Sequence, residues 1–196
     1  MNKNFVFSVM MVMALIFGLT VVGCDNGTTD TWSDLTSLDQ MNGTWKASYS
    51  QKNRPIKDIA EEMMNIEWDS NMQAMFGDMK VTIIADITLT INAGDKTQEM
   101  SMKQTVTFSG GNINFIWPML KQGLDNSEEE EGATVTFIDK THSIITEYNY
   151  PAGELNDEDI DEILNSGLQI NKSGTKIKLP ANSIMPGTPE LIFYRQ

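Results

Sequence analysis

Two side chains of the types that most often perform chemistry occur once each in this 196-residue sequence. Cys24 is the one cysteine and His142 is the one histidine. A zinc site of the usual kind needs several cysteine or histidine ligands, and a catalytic triad needs a histidine beside an activated nucleophile. The sequence has no serine motif next to His142 and therefore predicts neither kind of site. We interpret His142 as a solvated turn residue.

Acidic side chains are concentrated in two short segments, "DNSEEEEG" at 125–132 and "NDEDIDE" at 156–162. Calcium prefers carboxylate oxygens, but the first segment lacks the Asp-X-Asp spacing and the turn glycine of a calcium loop. The second segment fits the first turn of a helix, where the helix dipole favours acids. We therefore expect no metal, no cofactor and no enzymatic activity.

The segment before Cys24 gives this residue its predicted chemistry. Residues 5–23 are apolar and uncharged and follow Lys3, which is the layout of a secretory leader. The run "VVGC" at 21–24 resembles the lipobox of bacterial lipoproteins. That resemblance implies acylation of the Cys24 thiol, cleavage just before it and, often, acylation of the new amine. We interpret residues 1–23 as a lipoprotein signal peptide; the alternative is an uncleaved anchor with an incidental cysteine.

The lipoprotein resemblance also implies where the protein is held. It predicts attachment to a membrane of the bacterial cell envelope through acyl chains on Cys24, which is stable with two or three chains. The formal net charge is −13, and such a surface repels nucleic acid and anionic head groups. Attachment is therefore expected from the lipid, with no nucleic-acid partner. The sequence leaves open whether the membrane is the inner or the outer one.

The chain after the leader has the length of one domain and begins with a polar segment, 24–42, that we interpret as a tether. Period-two alternation of apolar and polar residues then predicts strands, most clearly at 80–92. Eight segments have strand character: 44–50, 80–92, 98–109, 113–118, 133–139, 144–150, 175–179 and 190–195. Long strands with one apolar face favour a mainly β fold, an antiparallel up-and-down barrel.

Two short helical inserts interrupt the predicted strands, one after strand 1 and one before strand 7. The first covers 54–77, where Ser70 and Gln73 have the spacing of a capping box. The second covers 155–167, with Asn156 as the N-cap and acids in the first turn.

The motif Gly43-Thr44-Trp45 opens the first predicted strand. Together with eight strands and Arg195 near the end, it resembles the Gly-X-Trp motif of lipocalins and their bacterial relatives in the calycin group. The resemblance implies a lipocalin-like barrel over 43–196. In that family the tryptophan plugs the closed end and an arginine packs across it, roles that fall here on Trp45 and Arg195.

A barrel of eight strands can either fill with side chains or hold one small ligand. For a cavity, we predict wall and lid residues on the inward faces and the first insert: Tyr49, Ile87, Met102, Phe115 and Tyr148 as wall, with Met72 and Phe76 as lid. The predicted function is binding of a small apolar or amphipathic ligand by a monomer. The alternative is a filled barrel that presents its surface to a protein partner of unknown identity.

Substitution Cys24→Ala tests the predicted lipid attachment. We expect the variant to lose incorporation of labelled palmitate and to accumulate as an uncleaved precursor, because both the acylated atom and the cleavage signal are removed. The measurement is fractionation of bacterial cells with an intact mass for each form. Ser33→Ala, a small change outside the leader, should behave as wild type. Cleavage or labelling of the Cys24→Ala protein would contradict the prediction.

Overall fold

The structure is a computed structural model that describes 30–64, 66–94, 96–125, 133–180 and 190–196. The predicted leader 1–23, the predicted lipid-attachment residue Cys24 and most of the acidic segment, 126–132, lie outside the described residues.

The described residues are mainly β, as predicted. They form nine strands: β1 (Trp32–Asp34), β2 (Gly43–Pro55), β3 (Lys80–Asn92), β4 (Thr97–Ser109), β5 (Ala133–Ile138), β6 (Ser143–Glu154), β7 (Gln169–Asn171), β8 (Lys176–Leu179) and β9 (Leu191–Arg195). They also form a 3₁₀ helix (Leu38–Met41) and four α-helices: α1 (Ile56–Met64), α2 (Ser70–Phe76), α3 (Ile113–Asp125) and α4 (Asp157–Asn165).

The nine strands belong to one antiparallel sheet with the order β1-β7-β8-β9-β2-β3-β4-β6-β5. Strands β2, β3 and β4 are neighbours in the order in which they follow one another in the chain. The two ends of the order, β1 and β5, are not paired with each other, so the described sheet is open. The predicted closure of eight strands into a barrel is therefore not confirmed.

The chain divides into two compact units, and the division falls within the long strands. The first unit contains the described residues of 50–84 and 104–147. The second unit contains the described residues up to 49 together with those of 85–103 and 148–196.

In the first unit, one sheet face and three helices share an apolar core. The buried side chains alternate along β3 and β4, as at Val81 and Ile83 and at Val106 and Phe108. The Trp117 ring of α3 lies 6.5 Å from the Phe108 ring, measured between centroids. This contact joins the helix to the sheet.

The segment 113–118, predicted as a strand, is the start of α3, so that prediction is wrong. The buried residues of this helix have helical spacing: Ile113, Ile116, Trp117, Leu120 and Leu124. The period-two pattern of Ile113, Phe115 and Trp117 was too short to distinguish the two structures. Phe115 consequently lies on the outer side of the helix and is 68% exposed.

The second unit begins earlier in the chain than predicted. Trp32–Asp34, part of the segment interpreted as a tether, forms β1 and pairs with β7 antiparallel. Leu38 and Met41 of the 3₁₀ helix are buried. A capping box holds this helix, since the Ser37 hydroxyl accepts from the N–H of Asp39 at 3.2 Å and the Gln40 amide oxygen accepts from the N–H of Ser37 at 3.1 Å.

Both predicted helical inserts are present, with one difference in capping. In the second insert, α4 begins after Asn156, which forms the predicted N-cap with Asp159. In the first insert, α2 is capped by Asp69, whose carboxylate accepts from the N–H groups of Asn71 and Met72. The predicted box of Ser70 and Gln73 is therefore wrong: Asp69, one residue earlier, is the N-cap, and the Gln73 N–H donates to the Asp69 carbonyl oxygen at 3.0 Å. The hydrogen bonds to its carboxylate, the one from the Met72 N–H first, lower the pKa of Asp69.

Gly111, at the start of the turn before α3, offers a test of the packing in the first unit. Its φ is +51°, and a Cβ added there would lie 2.7 Å from the Met79 nitrogen and closer still to the Phe76 carbonyl oxygen. We expect Gly111→Ala to lower the free energy of unfolding by about 2–4 kcal/mol. Gly153→Ala, where a Cβ meets nothing within 4 Å, is the control and should change it little. Urea unfolding of both variants measures the difference, and equal midpoints would contradict the expectation.

Candidate ligand-binding site

The structure brings together the residues predicted to close one end of the domain. Trp45 of β2 and Arg195 of β9 are paired across the two strands. The Arg195 guanidinium lies over the Trp45 indole, 4.9 Å from its centroid. Trp45 is fully buried, with an exposed fraction of 0%. A cation over a desolvated indole is a favourable pair.

The polar groups around Trp45 are satisfied by the backbone. The indole Nε1–H donates to the carbonyl oxygen of Met41 at 2.6 Å. The Arg195 guanidinium donates to the carbonyl oxygen of Asn42. Between them, Gly43 has a φ of +121°, a conformation that side chains disfavour, and an added Cβ would contact Arg195. The chain therefore turns at a glycine to place Trp45 beneath Arg195.

Four of the predicted wall residues lie in the second unit, on strand faces directed to the core. Tyr49, Ile87 and Tyr148 are buried, and Met102 is half-buried. They come from β2, β3, β6 and β4, in that order. Alternation along the strands was the signal that located them, and the structure agrees with it here.

A cavity of 410 Å³ in the second unit, open to solvent and lined mostly by exposed residues, continues the same strand faces. Leu89, Met100 and Tyr150 line it, each two residues beyond Ile87, Met102 or Tyr148 along its strand. The remaining lining residues come mostly from the end of β6 and from α4: Gln98, Pro151, Gly153, Glu154, Leu155 and Asp159. Volumes of this size suit small ligands, since ligand pockets commonly measure about 300–1,000 Å³.

One aromatic pair extends from the core to this cavity. The rings of Tyr148 and Tyr150 are stacked, with centroids 6.3 Å apart and an interplanar angle of 2°. Tyr148 is buried while Tyr150 is exposed. Tyr150, Leu89 and Met100 were not predicted as wall residues, although the same alternation places them on that face.

The other three predicted residues lie in the first unit. Met72 and Phe76 of α2 line a pocket of 510 Å³ together with Ile66. The Trp68 ring lies 5.8 Å from the Phe76 ring. Phe115, exposed on α3, does not line either of these pockets, so its prediction as a wall residue is wrong for the reason given above.

His142 and the Asp139 carboxylate both lie beside Trp117 in the first unit. His142 lies in a turn, as predicted, with a φ of +48° and its ring 5.4 Å from that of Trp117. The Asp139 carboxylate accepts from Lys121 Nζ at 2.8 Å and from Trp117 Nε1 at 2.7 Å. These two hydrogen bonds, the one from Lys121 first, lower the pKa of Asp139. The Asp139 carboxylate thus fixes the Trp117 indole by a hydrogen bond and forms an ion pair with Lys121.

The described residues were also searched for a metal site and for a membrane-spanning helix. Within the described ranges, no group of three or more His, Cys, Asp or Glu side chains could hold a metal ion. Among the helices in those same ranges, none has the length and apolar composition needed to cross a membrane.

Comparison of the chain with protein-family models, with curated proteins and with solved structures found no match.

Substitution Arg195→Met tests the contribution of the guanidinium over Trp45. We expect a loss of about 1–3 kcal/mol in the free energy of unfolding, because both a cation–π pair and a hydrogen bond disappear. Lys178→Met is the matched control: Lys178 Nζ lies 4.7 Å from the Trp32 centroid, but Trp32 is half-buried rather than fully buried. Its loss should be about 0.5–1 kcal/mol. Equal losses in urea unfolding would contradict a special role for Trp45.

Proposed function

We propose that this protein is a lipid-anchored lipoprotein of the bacterial cell envelope whose lipocalin-like domain binds a small apolar or amphipathic ligand. The observation that carries the binding proposal is the 410 Å³ cavity in the second unit, which continues the faces bearing Ile87, Met102 and Tyr148. The cavity combines apolar side chains with a few polar groups, the usual composition of a small-molecule site.

The lipocalin-like assignment has its own support. Strand β9 pairs with β2, so that the last strand lies beside the first long one. That pairing and the order β2, β3, β4 are features of an up-and-down barrel of eight strands. The contact of Arg195 with buried Trp45 corresponds to the family's closed end. The closed barrel itself is part of the proposal.

The anchoring part of the proposal depends on sequence. The lipobox-like "VVGC" after an apolar segment supports cleavage before Cys24 and acylation of its thiol. Asp30, six residues later, is the first described residue and pairs with Lys176 at 2.6 Å. At about 3.3–3.6 Å per residue, the intervening chain holds the second unit within about 20 Å of the lipid. The proposed ligand site therefore operates near a membrane surface.

A second function, binding of a protein partner, is favoured by exposed apolar side chains of the first unit. Phe115 stands on α3, while Val135 and Ile138 are exposed on β5. Strand β5 is at one end of the sheet order, where an unpaired strand edge can accept another strand. In this case the binding site would be the outer surface of the domain and not the cavity.

Native mass spectrometry of the full-length protein, extracted from the cell envelope, tests the ligand proposal. We expect wild type to carry a small molecule and Met100→Trp to carry at least about tenfold less, because the larger ring fills the cavity. Glu99→Trp, an exposed neighbour on the same strand, is the control and should retain the molecule. Retention by Met100→Trp would exclude this cavity. A protein mass instead of a small molecule would favour the second function.

A further inference from the structure

The cavity of the second unit has an apolar part and an acidic part. Leu89, Met100 and Leu155 supply apolar side chains, and Leu155 is buried. Glu154 and Asp159 line the same 410 Å³ space, from the end of β6 and the first turn of α4. None of the described residues that line it is a lysine, an arginine or a histidine. A ligand that complements the whole lining is therefore partly apolar and partly cationic.

The junction between β6 and α4 positions the two carboxylates. The Leu155 N–H donates to the Lys96 carbonyl oxygen at 2.5 Å, which ties this junction to the turn between β3 and β4. One oxygen of Asp159, Oδ2, accepts from the Asn156 N–H at 3.0 Å as part of the helix cap. The two oxygens of a carboxylate together accept about four hydrogen bonds. Asp159 can therefore cap the helix and still accept from a bound cation.

The lysine at this junction does not neutralise the cavity. Lys96 Nζ lies 2.8 Å from the Asp157 carboxylate, and both residues line a different pocket, of 390 Å³. Neither Glu154 nor Asp159 forms an ion pair with any residue in the part of the chain that the structure describes. The negative charge at the cavity is therefore available to a ligand.

Tyr150 adds an aromatic ring to the lining. Its ring is stacked on that of Tyr148 and remains 41% exposed. Organic cations are attracted to the faces of aromatic rings as well as to carboxylates. A calcium ion, by contrast, takes about six to eight oxygen ligands, more than two carboxylates among apolar side chains supply. The combination of lining groups fits an organic cation and not a metal ion.

We propose that the ligand of this cavity is an amphipathic organic cation, with its ammonium group beside Glu154 and Asp159 and its hydrocarbon chain against Leu89 and Met100. This inference rests on the proposed function, because it specifies the charge of the ligand. Each partly exposed ion pair strengthens binding by about 1.5-fold to fivefold. A neutral alcohol gains nothing from the carboxylates, and a fatty-acid anion is repelled by both.

Three probes with the same six-carbon chain differ in their head groups: hexylammonium, hexan-1-ol and hexanoate. Equilibrium dialysis at neutral pH measures their binding to the full-length protein in nanodiscs of zwitterionic lipid, with empty nanodiscs as the blank. We expect hexylammonium to bind about three- to tenfold more tightly than hexan-1-ol, and hexanoate to bind more weakly than both. Raising the salt concentration from about 0.05 M to about 0.5 M should reduce these differences, because salt screens the charges.

Matched substitutions separate the lining carboxylates from the acidity of the chain as a whole. In Glu154→Gln/Asp159→Asn, hexylammonium should bind no more tightly than hexan-1-ol, whose own binding should be unchanged. Asparagine at 159 can still accept from the Asn156 N–H, so the cap is retained. Glu158→Gln/Asp161→Asn is the control: it removes two exposed carboxylates of the same helix that do not line the cavity. It should keep the preference.

The outcomes distinguish this inference from the proposed function. Equal binding of hexylammonium and hexan-1-ol, with both lost in Met100→Trp, overturns the cationic ligand and leaves the ligand site intact. A preference that survives in Glu154→Gln/Asp159→Asn, or falls equally in the control, also overturns the inference, because other charges would then cause it. Failure of wild type to bind any probe, or undiminished binding by Met100→Trp, overturns both the inference and this cavity as the ligand site.

Discussion

Burial of the Trp45 indole is the constraint on which the second unit depends. A buried indole needs a partner for its N–H group, and the Met41 carbonyl supplies it from the 3₁₀ helix. The ring also needs a cover, and the Arg195 guanidinium supplies that from the last strand. Gly43 provides the backbone conformation that makes the turn into β2 possible. One side chain thus fixes the relation between the 3₁₀ helix, the start of β2 and the last strand, β9.

The sequence predicted an element correctly where a single pattern, such as period-two alternation or an N-cap, was strong. The thirteen-residue alternation of β3 predicted its bounds correctly, Lys80 to Asn92. Asn156 was found as the N-cap of α4 because its side chain and the acids that follow match the free N–H groups of a first helical turn. The contact of Trp45 with Arg195 followed from a family resemblance, which links residues that no local pattern could connect.

Other elements could not be predicted, because they form through contacts with residues distant in the sequence. Strands β1 and β7 have three residues each, and pairing with neighbours defines them more than composition does. The start of α3 has apolar residues at positions that fit both periods, and only Leu120 and Leu124 beyond it favour the helix. Gln104 is a buried polar residue on an otherwise apolar face of β4, and a local pattern does not show whether its amide has a partner.

Two surface carboxylates among the described residues are paired with lysines. Asp139 and Asp157 each accept a hydrogen bond from a lysine, Lys121 and Lys96 respectively, and in both cases that bond is the largest cause of a lowered pKa. Because their pKa values are lowered, these two carboxylates stay ionised at neutral pH. The buried side chains among the described residues are apolar or neutral polar, the latter being Gln104, Ser143, Thr146 and Asn171.

The bond between Arg195 and Asn42 joins residues that are 153 positions apart in the sequence. Contacts over such separations form slowly, since a long loop must close before any stabilisation is gained. Strand β2 therefore lacks this neighbour until the chain between them has folded far enough to bring β9 beside it. Pairing of β9 with β2 is accordingly expected among the late steps in the folding of the second unit.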